Sequence, residues 1–143
     1  MLIYRVGRII QIDKSKSKVF FESNDTGYEF IVPNIDYFQA GKQYILYLYE
    51  IKTEYYCITY AFKEYKERLL FIDLLSVNGI GPSTAFAILN SNGYEKVLKL
   101  ICKADINGLS KLPYMNGKRA DAIVDDLSRK WENADQSSEP YIK

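Results

Sequence analysis

The chain has 143 residues, 48% of them hydrophobic, enough for one ordinary domain or two small ones and too apolar for wholesale disorder. Its formal net charge is only +1, so any role on nucleic acid requires the charge to be segregated into a basic and an acidic face. It contains no His, and its two cysteines, Cys57 and Cys102, stand far apart, which removes the usual zinc sets and most nucleophile–base pairs.

The start, Met1 to Ile10, is apolar but broken by Arg5 and Arg8. It is too short and too charged for a signal peptide core or a membrane span. The expected location is therefore cytoplasmic, with Cys57 and Cys102 as two buried, reduced thiols.

Residues 1–62 read as strands. Ile3 to Ile10, Lys18 to Ser23, Gly27 to Val32, Gln43 to Ile51 and Tyr55 to Phe62 are rich in Ile, Val, Tyr and Phe. Turn clusters separate them. The Asn24-Asp-Thr-Gly27 turn predicts a hairpin with Gly27 at positive φ. Five short strands without an intervening helix predict a small closed sheet of the OB type. Most of the 13 tyrosines belong to packing in such a barrel.

After Phe62 the period changes, which places a domain boundary near Phe62–Lys63. Helices are expected over Glu64 to Ser76, Pro82 to Asn90, Asn92 to Cys102, Asp105 to Leu112 and Lys118 to Trp131. The last carries Ala120, Ile123, Val124, Leu127 and Trp131 at helical spacing, a core stripe. The fold class is thus α+β, a five-stranded OB-type β-barrel followed by an all-α domain over 63–131. Residues 132–143 are polar and read as a flexible linker or tail.

The most informative stretch is Val77-Asn-Gly-Ile-Gly-Pro-Ser-Thr-Ala85. It lies between two helices. Pro82 suits the first helical position, where a missing N–H costs nothing. Gly79 and Gly81 leave no side chain between the turn and an approaching partner, and the positive end of the next helix points the same way. That arrangement suits a phosphate. Asn78, Gly79, Ile80, Gly81, Pro82 and Ser83 are the first set of candidate DNA-binding residues. The plainer reading is a tight turn between packed helices.

Leu109-Ser-Lys-Leu-Pro-Tyr-Met-Asn-Gly-Lys-Arg-Ala120 repeats that logic in degenerate form. Tyr114 and Asn116 stand where the first hairpin has glycines. Asn tolerates left-handed backbone, and Tyr114 fits poorly. Asn116, Gly117, Lys118 and Arg119 are the second candidate set, the two cations compensating a weaker amide cradle. Paired hairpins of this kind touch no base edge, so binding is expected to be selective for DNA structure rather than sequence.

Strands, hairpins and their order together resemble the RuvA family, the Holliday-junction-binding subunits of the bacterial RuvAB branch-migration complex. The likeness runs from residue 1 to about 131. It rests on Arg5-Val-Gly-Arg-Ile-Ile10, Gly27-Tyr-Glu-Phe-Ile-Val-Pro33, Tyr60-Ala-Phe62, Phe71 through Leu89, and Leu109-Ser-Lys-Leu-Pro113. The resemblance implies a non-catalytic DNA-binding subunit acting in recombination, DNA repair and the SOS response, without metal or cofactor. It implies a homotetramer, or two tetramers face to face, holding an open four-way junction. It also implies the RuvB ATPase and the RuvC resolvase as partners.

Three departures stand out against that family. The acidic pin before the last barrel strand falls at Glu54-Tyr55, where the usual Glu-Asp pair keeps one carboxylate. The lysine usual after Gly-Pro is Ser83, and the second hairpin lacks Gly-Ile-Gly. The family's third, RuvB-docking domain is expected to be absent after the linker, and RuvB docking with it. Two other classes compete. A single-strand-binding OB module would need its tyrosines along one exposed strand face. A helix-hairpin-helix repair enzyme would need clustered carboxylates or a base pocket, and the one adjacent acidic pair, Asp125-Asp126, reads as a solvated helix face.

Overall fold

A computed structural model describes residues 1–132; the tail expected beyond Glu132 lies outside the described residues. Five strands form a closed barrel in the order β1-β2-β3-β5-β4. They are β1 (Tyr4–Asp13), β2 (Lys18–Ser23), β3 (Thr26–Ile31), β4 (Gln43–Lys52) and β5 (Cys57–Phe62). All neighbours are antiparallel except β3 and β5, whose parallel pairing at Ile31 and Tyr60 closes the barrel. This is the OB-type barrel that the strand pattern predicts.

One bulge shapes it. Ile9 pairs with Phe21 and Gln11 with Phe20, which leaves Ile10 unpaired. The extra residue reverses the side-chain alternation of β1. Ile9 is buried just before the bulge, Ile10 and Gln11 both turn outward, and Ile12 packs against the core. That core consists of Ile9, Val19, Phe21, Phe30, Val32, Phe38, Leu46, Leu48 and Ala61. Gly7 is required by close approach: a Cβ there would collide with the Glu22 carbonyl and the Phe21 ring.

Two expectations about the barrel are corrected. Gly27 does not take positive φ. The β2–β3 turn consists of two residues, Asn24 (φ 51°) and Asp25 (φ 61°), with Ser23 paired to Thr26. Asn and Asp tolerate the left-handed region well enough to leave Gly27 inside β3, opposite Glu22. The cysteines are not both buried either. Cys57 is exposed and Cys102 only half-buried. Cys57 begins β5 at the mouth of the β4–β5 turn, where the barrel no longer covers it.

The helices among the described residues are α1 (Tyr65–Ser76), α2 (Pro82–Asn92), α3 (Tyr94–Cys102), α4 (Ile106–Ser110) and α5 (Gly117–Trp131). Met1 to Arg68 form one compact unit and the described residues from Leu69 another. The division between these compact units falls inside α1. The first turn of α1 belongs to the barrel unit because its side chains bond there. Arg68 donates from Nε to the Leu48 carbonyl at 2.6 Å. Glu67 caps the helix start by accepting from the Lys63 amide at 3.1 Å.

That Glu67 carboxyl is only 1% exposed, and its second oxygen has no partner. Burial pushes it up to about 7 from an ordinary 4.5, against the pull of nearby Lys63. The folded state therefore holds its proton more tightly than the unfolded chain. This contribution to stability is complete below about pH 4.5 and lost as pH rises through 7. Glu67→Gln keeps the acceptor for Lys63 without the charge. It should raise unfolding free energy at pH 8 by roughly 3 kcal/mol, at about 1.36 kcal/mol per pH unit, and by little at pH 4.5. Urea titrations at the two pH values measure this; an equal effect at both would refute the linkage.

In the helical unit, Leu74, Val77, Ala85, Ile88, Val97, Ile101, Leu109, Ala120, Ile123 and Leu127 are buried. Asp73 of α1 is buried among them as well. It accepts from the Trp131 indole N–H and from Lys130 Nζ, both at 2.8 Å. The end of α5 is thereby tied to α1. Asp125 and Asp126 are exposed on α5, as a solvated face requires.

Candidate nucleic-acid interface

The two hairpins share one backbone plan. In the first, Val77 N–H donates to the Leu74 carbonyl and Ile80 N–H to the Val77 carbonyl, both at 3.1 Å; Ala85 N–H donates to Gly81 at 3.0 Å. In the second, Leu112 N–H donates to Leu109 and Met115 N–H to Leu112, both at 3.1 Å; Ala120 N–H donates to Asn116 at 3.0 Å. The positions correspond at a constant offset. Gly79 takes φ +90°, and Tyr114, its counterpart, takes +61°. Gly81 and Asn116 are the N-caps, and α2 and α5 start immediately after them. The second turn is therefore unchanged by its lost glycines. Tyr114 is held left-handed, a conformation that costs an L residue roughly 1–2 kcal/mol.

The hairpins differ at the caps. Gly81 makes no side-chain cap, and among the described residues nothing accepts from the amides of Gly79, Gly81, Ser83 or Thr84. These are the orphan donors of a helix start, backed by the dipole of α2. Pro82 at the first helical position removes no useful donor. In the second hairpin Asn116 Oδ1 accepts from the Arg119 amide at 2.8 Å. Arg119 Nη1 donates to the Tyr114 carbonyl. Lys118 is exposed beside it.

Asn78, Gly79, Asn116, Lys118, Arg119 and Ala122 line one depression, so the structure brings the two hairpins to a common site. Ser83 and Gly117 are exposed at the adjacent helix starts. Ile80 is only 5% exposed, so its side chain anchors the turn in the core and leaves at most its backbone to a partner. Thr84, Tyr114 and Ala122 are the residues that sequence reasoning left out of the candidate set. The constant offset between the hairpins is the signal that identifies Thr84, because it matches Arg119.

Glu54 and Tyr55 are exposed in the β4–β5 turn. Thr53 Oγ1 accepts from the Tyr55 and Tyr56 amides at 3.2 Å each, and Thr53 N–H donates to the Tyr56 carbonyl at 2.8 Å. These bonds hold Tyr55 and Tyr56 in the turn, which is why β5 begins at Cys57 and not at Tyr55. Tyr55 stands 89% exposed on this tip. Among the described residues the exposed tyrosines do not share a strand face: Tyr4 is on β1, Tyr37 on a 3₁₀ turn, Tyr55 and Tyr56 on this loop, and Tyr114 in the second hairpin.

Comparison with known proteins agrees with this geometry. Residues 71–129 match the model of the SAM-like helix-hairpin-helix tandem family. The chain is 48% identical over 131 residues to the Holliday junction branch migration complex subunit RuvA of Mycoplasmopsis agalactiae, covering 92% of this chain and 65% of that one. Against the subunit of the same name from Mesomycoplasma hyopneumoniae it is 38% identical, covering 96% of this chain and 61% of the other. Against that of Mycoplasmopsis synoviae it is 38% identical, covering 97% and 69%. The chain thus spans roughly two thirds of the length of these relatives. A closed five-stranded barrel, a tandem of hairpins and these identities over nearly the whole chain have one consistent explanation, that the chain belongs to the RuvA family.

Proposed function

We propose that this chain is a non-catalytic, structure-selective binder of four-way junction DNA, serving as the homotetrameric DNA scaffold for RuvB-driven branch migration. The observation that carries this is the pair of hairpins with one hydrogen-bond plan, opening on one depression with unpartnered amides and two cations. Such groups fit phosphate oxygens and carry no base readout. The relatives' name supplies the junction and the branch-migration complex. Glu54 then acts as a repulsive pin toward phosphates rather than as a catalyst. The tyrosines, spread over separate elements, give little support to a stacking platform for single strands.

The test is a titration of the protein against labelled four-way junction, linear duplex of equal length and single-stranded DNA at several salt concentrations. The junction should bind tightest whatever its sequence, with affinity falling as salt rises. Equal affinity for junction and duplex across the series would overturn the proposal. Tightest binding to the single strand would favour an OB-fold single-strand module instead.

A further inference from the structure

We infer that the two hairpins grip the DNA backbone by different chemistry, main-chain amides in the first and the Arg119 and Lys118 cations in the second, with Asn116 and Tyr114 as the residues that make the change. This inference rests on the junction-binding reading and assigns the contacts within it. Both hairpins have the same backbone, so the difference lies in what each offers a phosphate. The Gly81 cap leaves the Thr84 amide open, whereas the Asn116 side chain occupies the Arg119 amide at 2.8 Å. A phosphate reaching for that amide would have to displace the cap. The guanidinium of Arg119 is steadied by the Tyr114 carbonyl, which the left-handed turn at Tyr114 presents to it. Arg119 is thus held at its main-chain nitrogen and at its guanidinium, with donors to spare for an anion. It lines the same depression as Asn78 and Gly79, and Lys118 stands beside it. The first hairpin offers no such cation: its counterparts to Lys118 and Arg119 are Ser83 and Thr84.

Salt dependence separates the two kinds of contact. An amide contributes affinity but releases no counterion of its own, whereas each Lys or Arg that neutralises a phosphate contributes about −0.9 to the slope of log affinity against log salt. Junction binding by the 143-residue chain and its Arg119→Gln, Arg119→Lys, Lys118→Gln and Asn116→Gly variants would be measured over a salt series, with circular dichroism confirming the fold. Arg119→Gln and Lys118→Gln should each make the slope shallower by about 0.9, and Arg119→Lys should keep it. Asn116→Gly frees the Arg119 amide for a phosphate; it should bind more tightly than wild type while keeping the slope. An unchanged slope in folded Arg119→Gln would overturn the inference while leaving junction binding intact. An Asn116→Gly variant that binds no more tightly than wild type would overturn the capping role, because the Asn116 side chain would then withhold nothing from the DNA. Loss of the wild-type preference for junction over duplex would refute the function instead.

Discussion

Gly81→Val should weaken junction binding roughly tenfold or more, and Asn116→Val should weaken it less. Gly81 has φ −96° and ψ −178°, extended backbone that Val adopts readily. A Cβ at this position meets nothing within 4 Å. The variant is therefore expected to fold, and its cost falls on the ligand. Branched bulk at the cap stands over the open amides of Ser83 and Thr84. Losing a hydrogen bond to a charged group costs about 1.5–3 kcal/mol. At about 1.4 kcal/mol per tenfold, that is one to two orders of magnitude in affinity. Asn116→Val removes a cap that already occupies its own helix's donor, at a cost of about 0.5–2 kcal/mol to the helix. Its binding loss should therefore be smaller once both variants are compared well below their melting temperatures. Gly81→Ala should fall between wild type and Gly81→Val. If Asn116→Val proved the weaker binder in folded protein, the second hairpin, and not the first, would supply the better amide cradle.

How far the sequence discloses this protein depends on the range of the forces involved. Alternating apolar residues and short turn clusters are local signals, and they place all five strands and the closed sheet. Lys18–Ser23 is recovered residue for residue. The single bulge at Ile10 has no local signature, because it depends on pairing with Phe20 and Phe21 across the sheet. The positive φ assigned to Gly27 fails for a related reason. Glycine is permissive but not obliged to turn, and Asn24-Asp25 suffices when the strand pairing sets a two-residue loop. The hairpin residues are legible because proline, glycine and alanine at fixed offsets are punctuation with a mechanism. Their chemistry at the caps is less so. That Asn116 satisfies the Arg119 amide, or that Tyr114 accepts a glycine's conformation, follows from the packing of Leu109, Leu112 and Ala120, which fixes the turn before its residues are consulted. The burial of Asp73 and Glu67 is beyond a sequence reading for the same reason: both are charged residues on an ordinary helical surface pattern until the neighbouring elements are placed.

Asp73→Ala should destabilise the protein by roughly 3 kcal/mol, and Lys130→Ala by no more than about 1 kcal/mol. The two side chains share one ion pair at 2.8 Å, yet their surroundings differ. Lys130 is 61% exposed at its side chain and can exchange Asp73 for water, so its share is that of a surface pair. Asp73 is buried and also accepts from the indole of Trp131, itself only 6% exposed. Removing the carboxylate strands that buried N–H at about 1–3 kcal/mol and leaves a small void besides. Against a typical stability of about 5–15 kcal/mol this is a large loss. Asp73→Asn keeps an acceptor for the indole and should recover most of it. Urea unfolding followed by Trp131 fluorescence reports the effect directly, since this is the one tryptophan of the chain. The consequence reaches the interface because α5 carries the second hairpin at its start and this tie at its end. In folded Asp73→Ala, well below its melting temperature, junction affinity should be close to wild type, because no group at the depression is touched. Stability within about 1 kcal/mol of wild type would show that Trp131 finds another acceptor and that the tie is dispensable.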